Sequence, residues 1–175
     1  DVVLIGSGLG EDGVARQAMD LVLANIKADQ NLVVDGSALN LLAKKTKKDL
    51  PDCQLTLTPH QKEWERLSGL RIAEQTVSNT QKALGEFQVG TILVAKSHKT
   101  AVYQGETVAH LEVGGPYQAT GGMGDTLAGM ITGFLAQFAS IDSYKAVTVA
   151  VWLHSAIADD LAKNWPVNAS HRDKN

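Results

Sequence analysis

The sequence predicts an α/β fold in which a mainly parallel sheet carries helices on both faces. Three observations predict it. Short strand patterns, apolar at 2–5, 32–34 and 91–95 and alternating at 54–57, are interleaved with stretches of helical periodicity, the order expected of consecutive βαβ units. Each run stops at a glycine or a polar residue, and the carboxyl ends of parallel strands are where open α/β sheets bind ligands. A glycine-rich turn late in the chain, GGMGD at 121–125, opens an amphipathic helix, a ready anion site.

The first strand, VVLI, ends in Gly6-Ser-Gly-Leu-Gly10, and Val14, Ala18, Leu21, Val22 and Ile26 mark one face of the helix that follows. GSGLG lacks the third glycine of a dinucleotide fingerprint, so its meaning is a backbone that approaches something closely. The second strand closes on Asp35, before a helix over 37–43; Asp35 either caps that helix or faces a ligand. Asn40, in that apolar helix, is expected to fix a neighbouring loop. The third strand runs into Thr58-Pro59-His60 and a helix with Trp64 and Leu67 inward, which places His60 and Glu63 on its first turn. His60 is therefore either a helix-start residue or a ligand contact. The strand at 91–95 delivers Lys96-Ser97-His98-Lys99-Thr100, where Lys96 suits a phosphate or ribose contact or a surface pair with Glu106 or Glu112. A hairpin turning at Gly105-Glu106 follows.

In the helix after the glycine run, Leu127, Ile131, Phe134, Leu135 and Phe138 form one stripe, and Ala128, Gly129 and Gly133 are expected to thin a side for close packing. Asp125, in its first turn, is the unusual residue. A carboxylate beside a phosphate cradle repels the ligand unless it has chemistry to do, such as taking a proton from an attacking hydroxyl. The rival reading is a tight turn with an ordinary capping aspartate. Asp142 or Ser143 caps a last helix so apolar that it is expected to be sandwiched in the core, with His154 a satisfied core histidine.

Composition narrows the class. One domain, 1–175, suits a chain of 175 residues that is 44% hydrophobic. A net charge of −3 excludes a broad basic surface for nucleic acid or anionic lipid, and the lysines at 44–48 read as a solvated helix end. The longest apolar run, at 146–153, contains Thr148 and is too short to span a membrane. The single Cys53 forms no internal disulfide, which points to a reducing, cytoplasmic setting. The chain opens inside a strand pattern without an initiator methionine, so the natural protein is expected to begin upstream.

Five blocks in order, VVLIGSGLG, LVVDGSALNLLA, LTLTPHQKEWERL, ILVAKSHKT and YQATGGMGDTLAGMITGFLAQ, resemble the carboxyl-terminal portion of the NAD(P)H-hydrate dehydratases of the ribokinase-like superfamily; AVWLHSAIADDLA adds a sixth. The resemblance implies a three-layer α/β/α sandwich whose amino-terminal part is missing from this chain. It also implies repair of hydrated NADH or NADPH: ADP or ATP, with Mg2+, phosphorylates the ring hydroxyl, and elimination of phosphate restores the dihydronicotinamide. By the same resemblance Asp125 deprotonates the hydroxyl, and Gly122 and Gly124 form an anion hole. Gly8, His60 and Asp125 meet the hydrated dinucleotide, while Lys96 to Thr100 and Gly124 grip the adenine nucleotide. ADP is the expected donor and a homo-oligomer the expected assembly. The chain departs from the family's usual residues at Ser7, Gly36-Ser37, Gln61-Lys62 and Ser97, and its tail at 165–175 matches no block. Two other readings stay open: a ribokinase-like kinase of a small alcohol such as a vitamin precursor, from which the Thr58-Pro59-His60 block would separate it, and a nucleotide-binding module without catalysis.

Overall fold

The computed structural model describes residues 1–47, 50–97, 99–112 and 121–164. Six strands form one sheet in sequence order: β1 (Val2–Ile5), β2 (Asn31–Val34), β3 (Gln54–Leu57), β4 (Ile92–Ala95), β5 (Ala101–Gln104) and β6 (Thr107–His110). The first four pair in parallel, and β4–β5 and β5–β6 are antiparallel, with Gly105 at φ 54° in the hairpin turn. Helices α1 (Gly13–Asn25), α2 (Gly36–Leu42), α3 (Gln61–Ser68) and α4 (Val77–Leu84) connect the parallel strands, with a 3₁₀ turn at Ile72–Glu74; α5 (Met123–Gln137) and α6 (Ser143–Asn164) follow the hairpin.

The two-residue period of the strands divides the interior into two cores. Leu32, Val34, Leu55, Leu57, Leu93 and Tyr103 face α1 to α4, where Met19, Leu39, Trp64 and Leu67 are buried. Val33, Ile92, Val94 and Val102 face α5 and α6 and meet Leu127, Ile131, Val147 and Val151. Strands covered on both faces need no polar alternation, which is why the sequence shows β1 and β4 as continuous apolar runs. The three layers expected of the fold are therefore present.

Helix starts are set locally. Asp12 accepts the Ala15 amide at 2.8 Å, Thr76 the Asn79 amide at 3.2 Å, and Asp142 the Lys145 amide at 3.1 Å. Asn40 ties two elements, donating to Glu11 at 2.8 Å and accepting from Arg66 at 2.8 Å. Lys44 and Lys45 pair with Glu11 and Asp20, and Lys47 lies over the Phe87 ring, as suits a solvated helix end.

Four sequence expectations need correction. The inward face of α1 runs through Ala15, Met19, Val22 and Ile26, so Val22 and Ile26 pack as expected, while Val14 and Leu21 are 74% and 66% exposed. Both sets obey helical spacing; they differ by one residue, about 100° of rotation, which the docking of α1 on the sheet decides. A Cβ at Gly129 or Gly133 would meet nothing within 4 Å, so neither thins a helix contact among the described residues, and Phe138 is 40% exposed. α6 buries only one face: Val149, Trp152, Ile157 and Leu161 are about half exposed. His154 is buried, but its Nε2 has no hydrogen-bond partner among the described residues, while the ring also meets the Met123 backbone.

Among the described glycines, the one ending β1 makes the closest approach. A Cβ at Gly6, whose φ is 137°, would lie 1.7 Å from the Asp35 carbonyl oxygen, while Ser37 Oγ donates to the Gly6 carbonyl at 3.0 Å. Gly6→Ala should therefore destabilise the chain by on the order of 3–5 kcal/mol or prevent folding, measured by chemical denaturation. A second prediction concerns acid stability. Burial holds the His154 imidazole below its ordinary value of 6.5, against the opposing effect of the Met123 backbone. The unfolded chain then takes up a proton that the folded chain refuses, so stability falls as pH drops below 6.5 and levels off past the lower folded value. Melting temperature should decline as pH falls through 6.5, and His154→Leu should flatten that decline.

Candidate active site at the carboxyl edge of the sheet

Parallel pairing carries the ends of β1 to β4 to one edge, and the candidate residues follow the strands there. The Lys96 amide donates to the Pro59 carbonyl at 2.9 Å, and His60 and Lys96 form a parallel bridge that extends the β3–β4 pairing past the strand ends. His60 and the segment from Lys96 are thus neighbours although 36 positions separate them.

His60 is the N-cap of α3. Its Nδ1 accepts the Lys62 and Glu63 amides at 3.1 and 3.2 Å, and Glu63 reaches back to the His60 amide at 2.8 Å, a reciprocal capping box. Two amides on Nδ1 leave Nε2 as the protonated nitrogen of the neutral ring, 3.5 Å from the buried Glu63 carboxylate. The side chain is nonetheless 54% exposed. Capping fixes its orientation while leaving an open face.

Asp35 does not cap α2, for its side chain makes no capping bond. It lies buried, and its Oδ1 accepts the Thr58 hydroxyl at 2.6 Å and the Lys96 ammonium at 2.8 Å. Lys96 therefore pairs across the sheet edge, and not with Glu106 or Glu112 as its sequence neighbourhood suggested. Sequence reasoning missed this pair and the part of Thr58 in it. The available signal was the recurrence of polar residues directly after three neighbouring parallel strands.

Opposite Lys96 stands the amino terminus of α5. Gly122 is its N-cap at φ 86°, a conformation that favours glycine, and Thr126 is the first residue to return a backbone bond to the Gly122 carbonyl, at 3.0 Å. The amides of Met123, Gly124 and Asp125 precede the intrahelical ladder and lie at the positive end of the helix. A Cβ at Gly124 would come 3.6 Å from Lys96 Nζ, and one at Gly122 would meet nothing within 4 Å among the described residues. Asp125 is exposed in the first turn and caps nothing, since no side chain caps this helix. Gly8, at φ 67°, has open space where a Cβ would stand. Ser97 Oγ donates to the Lys99 carbonyl at 2.7 Å and accepts its amide at 3.1 Å, and Thr100 donates to the Ser97 carbonyl at 3.3 Å. His98, residues 113–120 of the glycine-run block, Lys48 and the tail at 165–175 lie outside the described residues.

These features match an established group of proteins. The family model described as NAD(P)H-hydrate dehydratase matches residues 1–173. The chain belongs to the NAD(P)H-hydrate dehydratase family. It is 79% identical over 164 residues to a Streptococcus thermophilus protein named ADP-dependent (S)-NAD(P)H-hydrate dehydratase, covering 94% of this chain and 59% of that one. Among solved structures, a ribokinase-like superfamily protein from Enterococcus faecalis superposes with a TM-score of 0.85 at 44% identity, covering 93% of this chain and 56% of the other. The ADP/ATP-dependent NAD(P)H-hydrate dehydratase of Bacillus subtilis, co-crystallised with ATP and Mg2+, superposes with a TM-score of 0.80 at 30% identity, covering 96% and 58%. The chain thus spans less than two thirds of the length of these family members.

The open turn at Gly122–Gly124, its leading amides and the adjacent Lys96 ammonium fit the phosphates of a nucleotide. No group of three or more His, Cys, Asp or Glu side chains among the described residues would hold a metal. A magnesium ion carried in on nucleotide phosphates needs only one or two protein carboxylates, and Asp125 is the exposed carboxylate nearest the turn in sequence. Gly124→Ala should leave the melting temperature nearly unchanged, because the new methyl makes ordinary contact with Lys96. It should weaken ADP and ATP binding about tenfold by entering the phosphate cradle, as read by calorimetry.

Proposed function

We propose that this chain carries the nucleotide-dependent dehydration of hydrated NADH or NADPH, with ADP as donor, and that the edge described above is its active site. The observation that carries the reading is the meeting of Lys96, from the end of β4, with the glycine turn that leads into Asp125 on α5: a cation, a helix amino terminus and an exposed carboxylate in one place. Family membership supplies the substrate class, and the name of the Streptococcus thermophilus relative supports ADP.

In this mechanism the terminal phosphoryl group rests against the Gly122–Gly124 amides, whose orientation is fixed before the ligand arrives. Lys96 adds positive charge on the same side. Magnesium on the nucleotide neutralises phosphate charge during transfer. The Asp125 carboxylate accepts the proton of the ring hydroxyl as that oxygen attacks phosphorus and the bond to the leaving nucleotide breaks. The ring oxygen then departs with the phosphoryl group as inorganic phosphate, a ring C–H proton is lost, and the double bond of the dihydronicotinamide is restored. His60, oriented by Glu63, and the open turn at Gly8 hold the hydrated dinucleotide on the β1–β3 side. Lys96, Ser97, His98, Lys99 and Thr100 hold the adenine nucleotide on the β4 side.

Turnover is measured as recovery of dihydronicotinamide absorbance when the full-length protein meets hydrated NADH with ADP, with ATP, or with neither. Recovery should require nucleotide, and Asp125→Asn should lower it by at least about 10³-fold while leaving ADP binding intact or tighter. Undiminished turnover in that variant would overturn the role of Asp125. Nucleotide consumption against small alcohols without any recovery would point to an alcohol kinase instead.

A further inference from the structure

Asp35 has no local structural task that would explain its carboxylate. The turn it occupies is fixed by backbone: its amide donates to the Ile5 carbonyl at 3.0 Å, and its carbonyl lies against Gly6. It makes no cap for α2. Its side chain is 3% exposed, and one oxygen, Oδ1, receives both the Thr58 hydroxyl at 2.6 Å and the Lys96 ammonium at 2.8 Å. A buried ion pair is weak support for stability, because desolvating both charges offsets much of their attraction. Its value here lies in where it leaves the ammonium. Lysine is a point charge on a flexible four-carbon stem, and without an anchor it samples many positions. With Asp35 behind it, Nζ is held 3.6 Å from where a Cβ on Gly124 would stand, beside the first turn of α5. One N–H is engaged by Asp35; the ammonium has two more to offer.

We propose that Asp35, itself aimed by Thr58, is a positioning residue that holds Lys96 against the glycine turn of α5 and so sets the strength of nucleotide phosphate binding. The assignment rests on the nucleotide-binding reading above. Asp35 touches neither nucleotide nor substrate in this scheme and acts through Lys96 alone.

The test is a double-mutant cycle read by calorimetric titration of ADP with Mg2+ into the full-length protein, using wild type, Asp35→Asn, Lys96→Ala and the combined variant. Asp35→Asn should weaken ADP binding at least about tenfold in the wild-type background. In the Lys96→Ala background the same change should leave affinity unchanged or raise it, since it removes a carboxylate that has lost its partner. A purely structural role would lower the binding stoichiometry and the melting temperature in both backgrounds, and equal affinity losses in both would overturn the proposal. Because Asp35→Asn leaves the partly buried Lys96 without its counter-charge and can fail to fold, Thr58→Val gives a milder route. It keeps the ion pair, is nearly isosteric, and should weaken ADP binding several-fold only when Lys96 is present. Unchanged affinity in Thr58→Val, with Asp35→Asn also silent or additive, would overturn the assignment alone. A wild-type protein that binds neither ADP nor ATP would overturn the nucleotide-binding reading with it.

Discussion

The carboxylate of Asp35 is buried where the ends of three parallel strands converge, and the site depends on how that charge is satisfied. A buried carboxylate without partners is among the costliest features a core can hold. Here the partners come from other strands: Thr58 follows β3 and Lys96 follows β4. Satisfying Asp35 therefore ties together segments 23 and 61 residues away and brings the only cation that pairs with it, among the described residues, up to the first turn of α5. The β1 turn is fitted to the same point from the other side, since Gly6 leaves no room for a side chain against the Asp35 carbonyl.

Electrostatics on the α5 side complement this arrangement. The helix start offers amides and a positive dipole end, and Lys96 adds a full charge; together they favour an anion. Asp125 stands in that environment exposed and without a capping role, which suits a group kept for proton transfer. His60 shows a different economy. Its ring does structural work as the cap of α3 through Nδ1, and the same bonds fix which nitrogen carries the proton on its exposed side. The two readings the sequence left open for His60, helix start and ligand contact, are therefore compatible.

Much of the fold is legible without coordinates because its rules are local. Apolar runs bounded by glycine or polar residues mark strands buried on both faces, as at 92–95, and Asp12, Thr76 and Asp142 announce helix starts by bonding amides within three residues. The site is legible to the extent that parallel strands bring their carboxyl ends to one edge. Spacing fails where two faces of a helix satisfy it equally. On α1 the sets through Val14 and through Ala15 differ by one position, and docking on the sheet selects the second. It fails again on α5 and α6, where glycine and apolar content suggested neighbours on sides that stand open among the described residues.

Sequence by itself determined the elements, their order, the layering of helices about a mainly parallel sheet, and the family likeness of the glycine turn and its aspartate. These follow from short-range periodicity, capping and turn chemistry, which a chain carries wherever it folds. Only the tertiary structure decided that Lys96 answers to Asp35, that Thr58 shares the same oxygen, and that the ammonium then faces Gly124. Such partners are chosen by register and by the burial of charge across strands, and nothing within a few residues of Lys96 encodes a carboxylate 61 positions away.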